Sequence, residues 1–96
     1  MPRIKWLPDA LADVDRLHAF LHEKSPEVAA RAARVILDGA GLLESIPEIG
    51  RPMDDDTGRR ELVLSFGAGA FVLRYMWDRG DTVVIIRVWH SKESRM

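Results

Sequence analysis

The stretch "RRELVLSFGAGAFVLRYMWDRGDTVVIIRVWH", residues 59–90, decides the fold. Its runs 59–66, 70–77 and 82–90 are rich in β-branched and aromatic residues. The words between them, "GAG" at 67–69 and "DRGD" at 78–81, have the length and composition of hairpin turns. Three consecutive antiparallel strands are predicted. In a strand, alternate side chains share a face. The middle strand therefore sets Phe71, Leu73, Tyr75 and Trp77 against Val72, Arg74 and Met76, and the first sets Leu62, Leu64 and Phe66 against Glu61, Val63 and Ser65. Strict alternation through the last strand sets Val84, Ile86, Val88 and His90 on the core side and Val83, Ile85, Arg87 and Trp89 on the other.

Upstream of this meander the period changes from two to near 3.6. Residues 2–7, "PRIKWL", alternate as a short strand, at the edge or paired. Pro8 and Asp9 then open a helix, whose stripe Leu11, Val14, Leu17, Phe20 and Leu21 ends near Lys24. "SPE" at 25–27 starts a second helix with Ser25 as cap and Pro26 at the first position. Ala29, Ala32, Ala33, Ile36, Ala40 and Leu43 form its apolar stripe, and the alanines permit close approach of two helices. Residues 8–45 read as an antiparallel helical hairpin. Gly39 and Gly41, unfavourable in a helix interior, imply a bend, a close backbone contact or a break. "SIPEIGRPMDDDTG" at 45–58 is a loop.

The expected fold is thus α+β: an N-terminal strand and an antiparallel helical hairpin packed on one face of an antiparallel sheet with a C-terminal three-stranded meander. Residues 1–96 form a single domain in this reading, because half of so short a chain cannot bury enough apolar surface to fold. Hydrophobic residues make up 47% and charged residues 30%, which indicates a globular chain. No apolar run has membrane-spanning length, and the N-terminus lacks a secretory h-region, so no membrane association and a cytoplasmic location are expected. The chain has no cysteine, which excludes disulfides and thiolate metal sites. A net charge of -1 argues against affinity for nucleic acid spread over the whole surface, while leaving room for a local basic patch.

Few words carry cofactor or metal chemistry. "DDDTG" at 54–58 lacks the alternating ligands and distant glutamate of a calcium loop. His18 and His22 stand four apart on a helix but without a third ligand. "GAG" joins two strands rather than leading a helix, so it does not cradle phosphate. No cofactor and no metal are expected. The sheet face away from the hairpin is the more informative feature. On it Glu61, Arg74 and Arg87 lie among Val63, Val72, Met76, Val83, Ile85 and Trp89, too apolar a set for a solvated face, so it is expected to meet a partner.

The order of elements and several words, "SPEVAARAA", "P-x-x-GRP", "REL", "FVLRY" and "VVIIRVWHSKE", together resemble the RelE/ParE superfamily of toxins from bacterial type II toxin-antitoxin systems. The resemblance spans residues 6–93. It implies a cognate antitoxin, ParD-like or related, whose C-terminal part folds along the toxin, and a role in plasmid stabilisation. It also implies one of two targets. ParE-like members inhibit DNA gyrase and so DNA replication; RelE-like members cut mRNA on the ribosome. Where RelE-like members present lysines and an arginine, this chain has Glu61, Val63 and Val72, and it has no tyrosine after Tyr75. The ParE-like subgroup is therefore favoured, and no catalytic residue with it. The target-binding residues expected are Arg74, Arg87, Trp89, His90, Lys92 and Glu93, with Arg59, Arg60, Arg74 and Arg87 meeting acidic antitoxin groups. The alternative nuclease would draw on His90 as acid or base, with Arg51, Arg74, Arg87, Glu61 and Glu93. A third reading is an inactive toxin fold kept as an interaction module.

Overall fold

Pro8 at a helix first turn and Ser25 before Pro26 punctuate the N-terminal half as the sequence implies. The computed structural model describes residues 1–93 and contains β1 (Arg3–Trp6), α1 (Pro8–Lys24), α2 (Pro26–Ser45), β2 (Arg51–Pro52), β3 (Arg59–Phe66), β4 (Gly69–Trp77) and β5 (Thr82–His90). The Ser25 hydroxyl accepts the Val28 N–H at 3.3 Å, satisfying one of the otherwise unpaired donors of the α2 terminus. Helix α2 runs unbroken through both glycines. Gly39 is buried where a Cβ would come within 2.3 Å of a Leu64 methyl, so this glycine serves a close contact; Gly41 faces open space.

The sheet has the order β1-β5-β4-β3-β2. The meander β3-β4-β5 is antiparallel as expected, but β1 pairs with β5 in parallel, so the sheet is mixed. Residues 51–52, expected to be loop, form β2, a two-residue antiparallel bridge with Arg51 opposite Glu61. Both helices pack on one face. There Ala32, Ile36, Ala40 and Leu43 of α2 and Ala10 and Leu17 of α1 join Leu62, Phe71, Leu73, Tyr75, Val83, Ile85 and Val88 in one buried cluster.

Two face assignments need correction. In β5 the alternation does not hold throughout. A β-bulge makes Arg74 oppose Arg87 while Tyr75 opposes Ile85, so Ile86 has no opposite number. Val83 and Ile85 before the bulge are fully buried, as is Val88 after it, opposite Leu73; His90, opposite Phe71, faces the same side but is half-buried, and Val84 and Ile86 are only partly covered. Strict alternation had placed Val83 and Ile85 outside. In α1 the buried line runs through Ala10, Asp13 and Leu17, whereas Leu11 and Phe20 are more than half exposed. The helix is rotated so that a carboxylate points to the sheet, for a reason found at β5.

Candidate functional site

Strand β1 leaves the edge of β5 after Trp6, and Leu7 N–H makes the last bond, to the Ile85 carbonyl at 3.0 Å. Beyond this point β5 keeps β4 on one side but has no strand on its β1 side among the described residues. Asp13 replaces one: its Oδ2 accepts the Val88 N–H at 2.8 Å. The same carboxylate accepts Arg87 Nε at 2.7 Å and Nη2 at 3.0 Å, and Arg16 Nη2 at 3.3 Å. Burial pushes the Asp13 pKa up, but the hydrogen bonds from Arg87, Val88 and Arg16 outweigh it and hold the carboxyl below the usual aspartate value. The Asp13 bonds in turn raise the Arg87 pKa. Arg16 also pairs with Glu93, whose other oxygen accepts the His90 N–H at 2.8 Å. Asp13 was missed in the sequence because a single acid within an amphipathic helix reads as solvated; the signal available was its place between Ala10 and Leu17, one turn from each.

His90 is held on the core face. Its Nδ1 accepts the Lys92 N–H at 3.1 Å, which puts the ring proton on Nε2, within 3.2 Å of the Phe66 carbonyl. The ring meets Phe71 edge-on with 5.1 Å between centroids, and Phe66 at 6.4 Å. Both nitrogens are thus engaged by backbone groups. An open groove of about 650 Å³ lies against this ring, lined by Leu17, Phe20, Leu21, Phe66 and Phe71 and rimmed by Arg16, Lys92 and Glu93.

The helix-free face carries the other expected residues. Arg74 donates from Nη2 and Nε to Glu61 Oε2 at 2.8 and 3.1 Å, and its guanidinium carbon lies 4.9 Å from the centre of the Trp89 ring. Arg74 and Arg87 are directly opposite, where like charges repel. Glu61 draws one away across the face and Asp13 draws the other to the strand edge, so the conflict is resolved by two acids on different elements. Arg59 shares the face with Met76, Glu61 with Arg51, and Lys5 with Val84. Arg60 turns elsewhere, donating to the carbonyls of Glu48 and Gly50 at 3.0 and 2.8 Å.

The structure therefore divides the expected residues. Arg74, Trp89, Glu61, Arg51 and Arg59 lie on the helix-free face; His90 lies on the core face; Arg87 and Glu93 are drawn to α1; Lys92 is exposed beyond β5. His18 and His22 are exposed with ring centroids 5.6 Å apart, and the described residues contain no group of three or more metal-ligating side chains.

A profile of the family described as "ParE toxin of type II toxin-antitoxin system, parDE" matches residues 4–95. The chain belongs to the ParE toxin family. Two relatives from Caulobacter vibrioides (strain ATCC 19089 / CIP 103742 / CB 15) carry other names within the superfamily. Toxin RelE3 is 37% identical over 95 residues, covering 99% of this chain and all of that one. Toxin RelE1 is 35% identical over 86 residues, covering 90% of this chain and 89% of the relative. Among solved structures, a chain of the chromosomal ParDE TA system from P. aeruginosa superposes with a TM-score of 0.75 at 26% identity, covering 94% of this ParE-family chain and 96% of its own. Membership of a type II system implies an antitoxin partner. Among the described residues no helix is long and apolar enough to cross a membrane.

Proposed function

We propose that this toxin inhibits DNA gyrase by binding, as ParE-like toxins do, without breaking a bond itself. The observation that supports this is the separation of the residues a nuclease would need. Cleavage at a 2′-hydroxyl requires a base, an acid and positive charge within hydrogen-bond reach of one phosphate. Here the sheet stands between His90 and the Arg74–Glu61 pair, and both His90 nitrogens already serve backbone groups. Arg87 is committed to a buried carboxylate. What these residues offer instead is a shaped surface: the Arg74 guanidinium over Trp89, and the turn after β5 that presents Lys92 while Glu93 fastens it to Arg16.

The RelE names of the two Caulobacter relatives favour a second reading, a ribosome-dependent mRNA endoribonuclease. Purified toxin added to gyrase with DNA, and separately to an in vitro translation system, distinguishes the two. The expected result is lost supercoiling with accumulation of cleaved DNA, and intact message. Shortened ribosome-bound message with unaffected gyrase overturns the proposal. If neither changes and expression harms no cell, the chain is an inactive interaction module.

A further inference from the structure

Past Trp6 two main-chain donors point to the β1 side of β5, and a carboxylate meets each. Val88 N–H donates to Asp13 Oδ2 at 2.8 Å. Two residues on, where ladder alternation aims the next donor the same way, His90 N–H donates to Glu93 Oε1 at 2.8 Å. One guanidinium joins the two acids: Arg16 Nη2 lies 3.3 Å from Asp13 Oδ1, and Nη1 pairs with Glu93 Oε2. Arg16 follows Asp13 by three residues on α1, which sets the two on one helix face and carries the bridge along the strand towards its end.

Lys92 lies inside this arrangement without being part of it. On the β4 side, Ser91 N–H donates to the Ala70 carbonyl at 2.7 Å, and Ser91 Oγ accepts the Ala70 N–H at 3.0 Å. Lys92 N–H donates to His90 Nδ1 at 3.1 Å, and Glu93 N–H closes the turn on the His90 carbonyl at 3.0 Å. The turn rests on Gly69, where a Cβ would come within 2.5 Å of Ser91 Oγ, 2.8 Å of His90 Cε1 and 3.3 Å of Lys92 Cγ. The main chain at Lys92 is therefore held from β4 through Ser91 and from α1 through Glu93. Its ammonium makes no ion pair among the described residues, whereas Asp13 and Glu93 balance Arg16 and Arg87. Lys92 is the charge that this end of the sheet leaves for a target.

We propose that Arg16 is a positioning residue for inhibition: it does not touch the target, and by tying Glu93 to Asp13 it sets the direction in which Lys92 meets an anionic group there. This rests on the binding mechanism proposed above, in which Lys92 is a contact residue. The Arg16 side chain is half exposed, and Asp13 keeps Arg87 and Val88 without it, so the bridge adds little to the stability of the fold. What it supplies is preorganisation. A turn fixed before contact spares the ordering cost that a mobile chain end would meet on binding.

A double-mutant cycle tests the assignment, read as inhibition of gyrase supercoiling by the full-length toxin. Arg16→Met keeps a long aliphatic stem and a good helix former while removing the bridge. Its melting temperature stays within about 4 °C of wild type. Arg16→Met and Lys92→Ala each weaken inhibition about fivefold, and the double variant loses no more than about tenfold, because one residue acts through the other. On the toxin alone, Lys92 amide exchange speeds by about fivefold or more in Arg16→Met. Glu93→Gln keeps an oxygen for the His90 N–H but loses the charge that holds Arg16, and it shows the same loss should Arg16→Met fail to fold. Losses that multiply to about 25-fold in the double variant overturn the proposal, since Arg16 then meets the target itself. Unchanged inhibition by folded Arg16→Met does so too, as does unchanged Lys92 exchange. Wild-type toxin that leaves supercoiling intact refutes the gyrase reading alone, and the same cycle is then decided on ribosome-bound message. A toxin that inhibits neither has no contact for Arg16 to position, and the proposal falls with it.

Discussion

Asp13 of α1 holds Arg87 of β5 through two hydrogen bonds, at 2.7 and 3.0 Å, while accepting the Val88 N–H that no strand reaches. The contact joins the helical hairpin to the half of β5 that lies beyond the bulge and positions the turn bearing Lys92 and Glu93 through Arg16. Asp13→Ala strands the Val88 N–H at a buried edge and should cost about 2–3 kcal/mol, the range for an unsatisfied buried donor together with a lost charged bond. Urea denaturation measures it. A loss under about 0.5 kcal/mol, the size of a neutral surface change, would show that water replaces the carboxylate.

The same carboxyl makes stability depend on acid. Its folded pKa lies below the unfolded value of about 3.9, so the unfolded chain binds its proton more tightly. The contribution is fully present above that value and is lost as pH falls through the lower, folded one. Wild type should therefore exceed Asp13→Asn in urea midpoint at pH 7, with the gap narrowing towards pH 3. A gap that stays constant over this range refutes the assignment.

Tyr75 bears on the loop before β2. Phenylalanine there would leave the Gly50 N–H and Pro47 carbonyl without their partner in a buried position, at a cost of about 2–4 kcal/mol. Burial also raises the tyrosine pKa, against the opposing Gly50 bond, so the folded chain holds the phenolic proton more tightly. That stability is present below the unfolded value of about 10 and lost as pH rises through the folded one. Tyr75→Phe should accordingly be less stable than wild type at neutral pH and lose less on going to pH 11. Equal alkaline losses in the two proteins would count against the bonded hydroxyl.

The helix glycines should differ in sign. Gly41→Ala adds a methyl to open space and should gain about 0.5–1 kcal/mol from helix propensity. At Gly39 the same methyl meets Leu64 at 2.3 Å from one of its carbons, and overpacking of about 1–3 kcal/mol offsets that gain. Combining Gly39→Ala with Leu64→Ala should recover part of the loss. Thermal melts that show both single variants stabilised alike would mean Leu64 moves aside without cost.

Much of the architecture was legible because periodicity changes where the architecture changes: the cap at Ser25, the alanine stripe of α2 and the two meander turns all follow from local residue types. What escaped was non-local. "VVII" at 83–86 is apolar on both faces, so nothing in it marks Ile86 as the extra residue, and a shift of one reverses every later assignment. His90 does end up facing the core, but by way of the bulge and with Val83 and Ile85 as its inward companions. The parallel partner of β1 and the edge role of Asp13 depend on which strand stops short in space, at Trp6, and no spacing in the chain records that.

The assignment of His90 separates binding from catalysis most directly. As a structural residue it contributes two backbone-directed hydrogen bonds and edge contacts with Phe66 and Phe71, so His90→Ala should lose about 2 kcal/mol. Inhibition of gyrase by the fraction that stays folded should then fall by less than threefold, with no histidine-dependent step in its pH profile. Lys92 is exposed, so Lys92→Glu should leave the melting temperature unchanged while weakening inhibition about tenfold through reversed charge at the contact. A group that moves protons behaves in the opposite way, because general acid-base catalysis contributes about 10²–10⁴ in rate. If folded His90→Ala loses a hundredfold or more of its activity and Lys92→Glu loses none, the last strand ends on a reacting group and the binding mechanism is wrong.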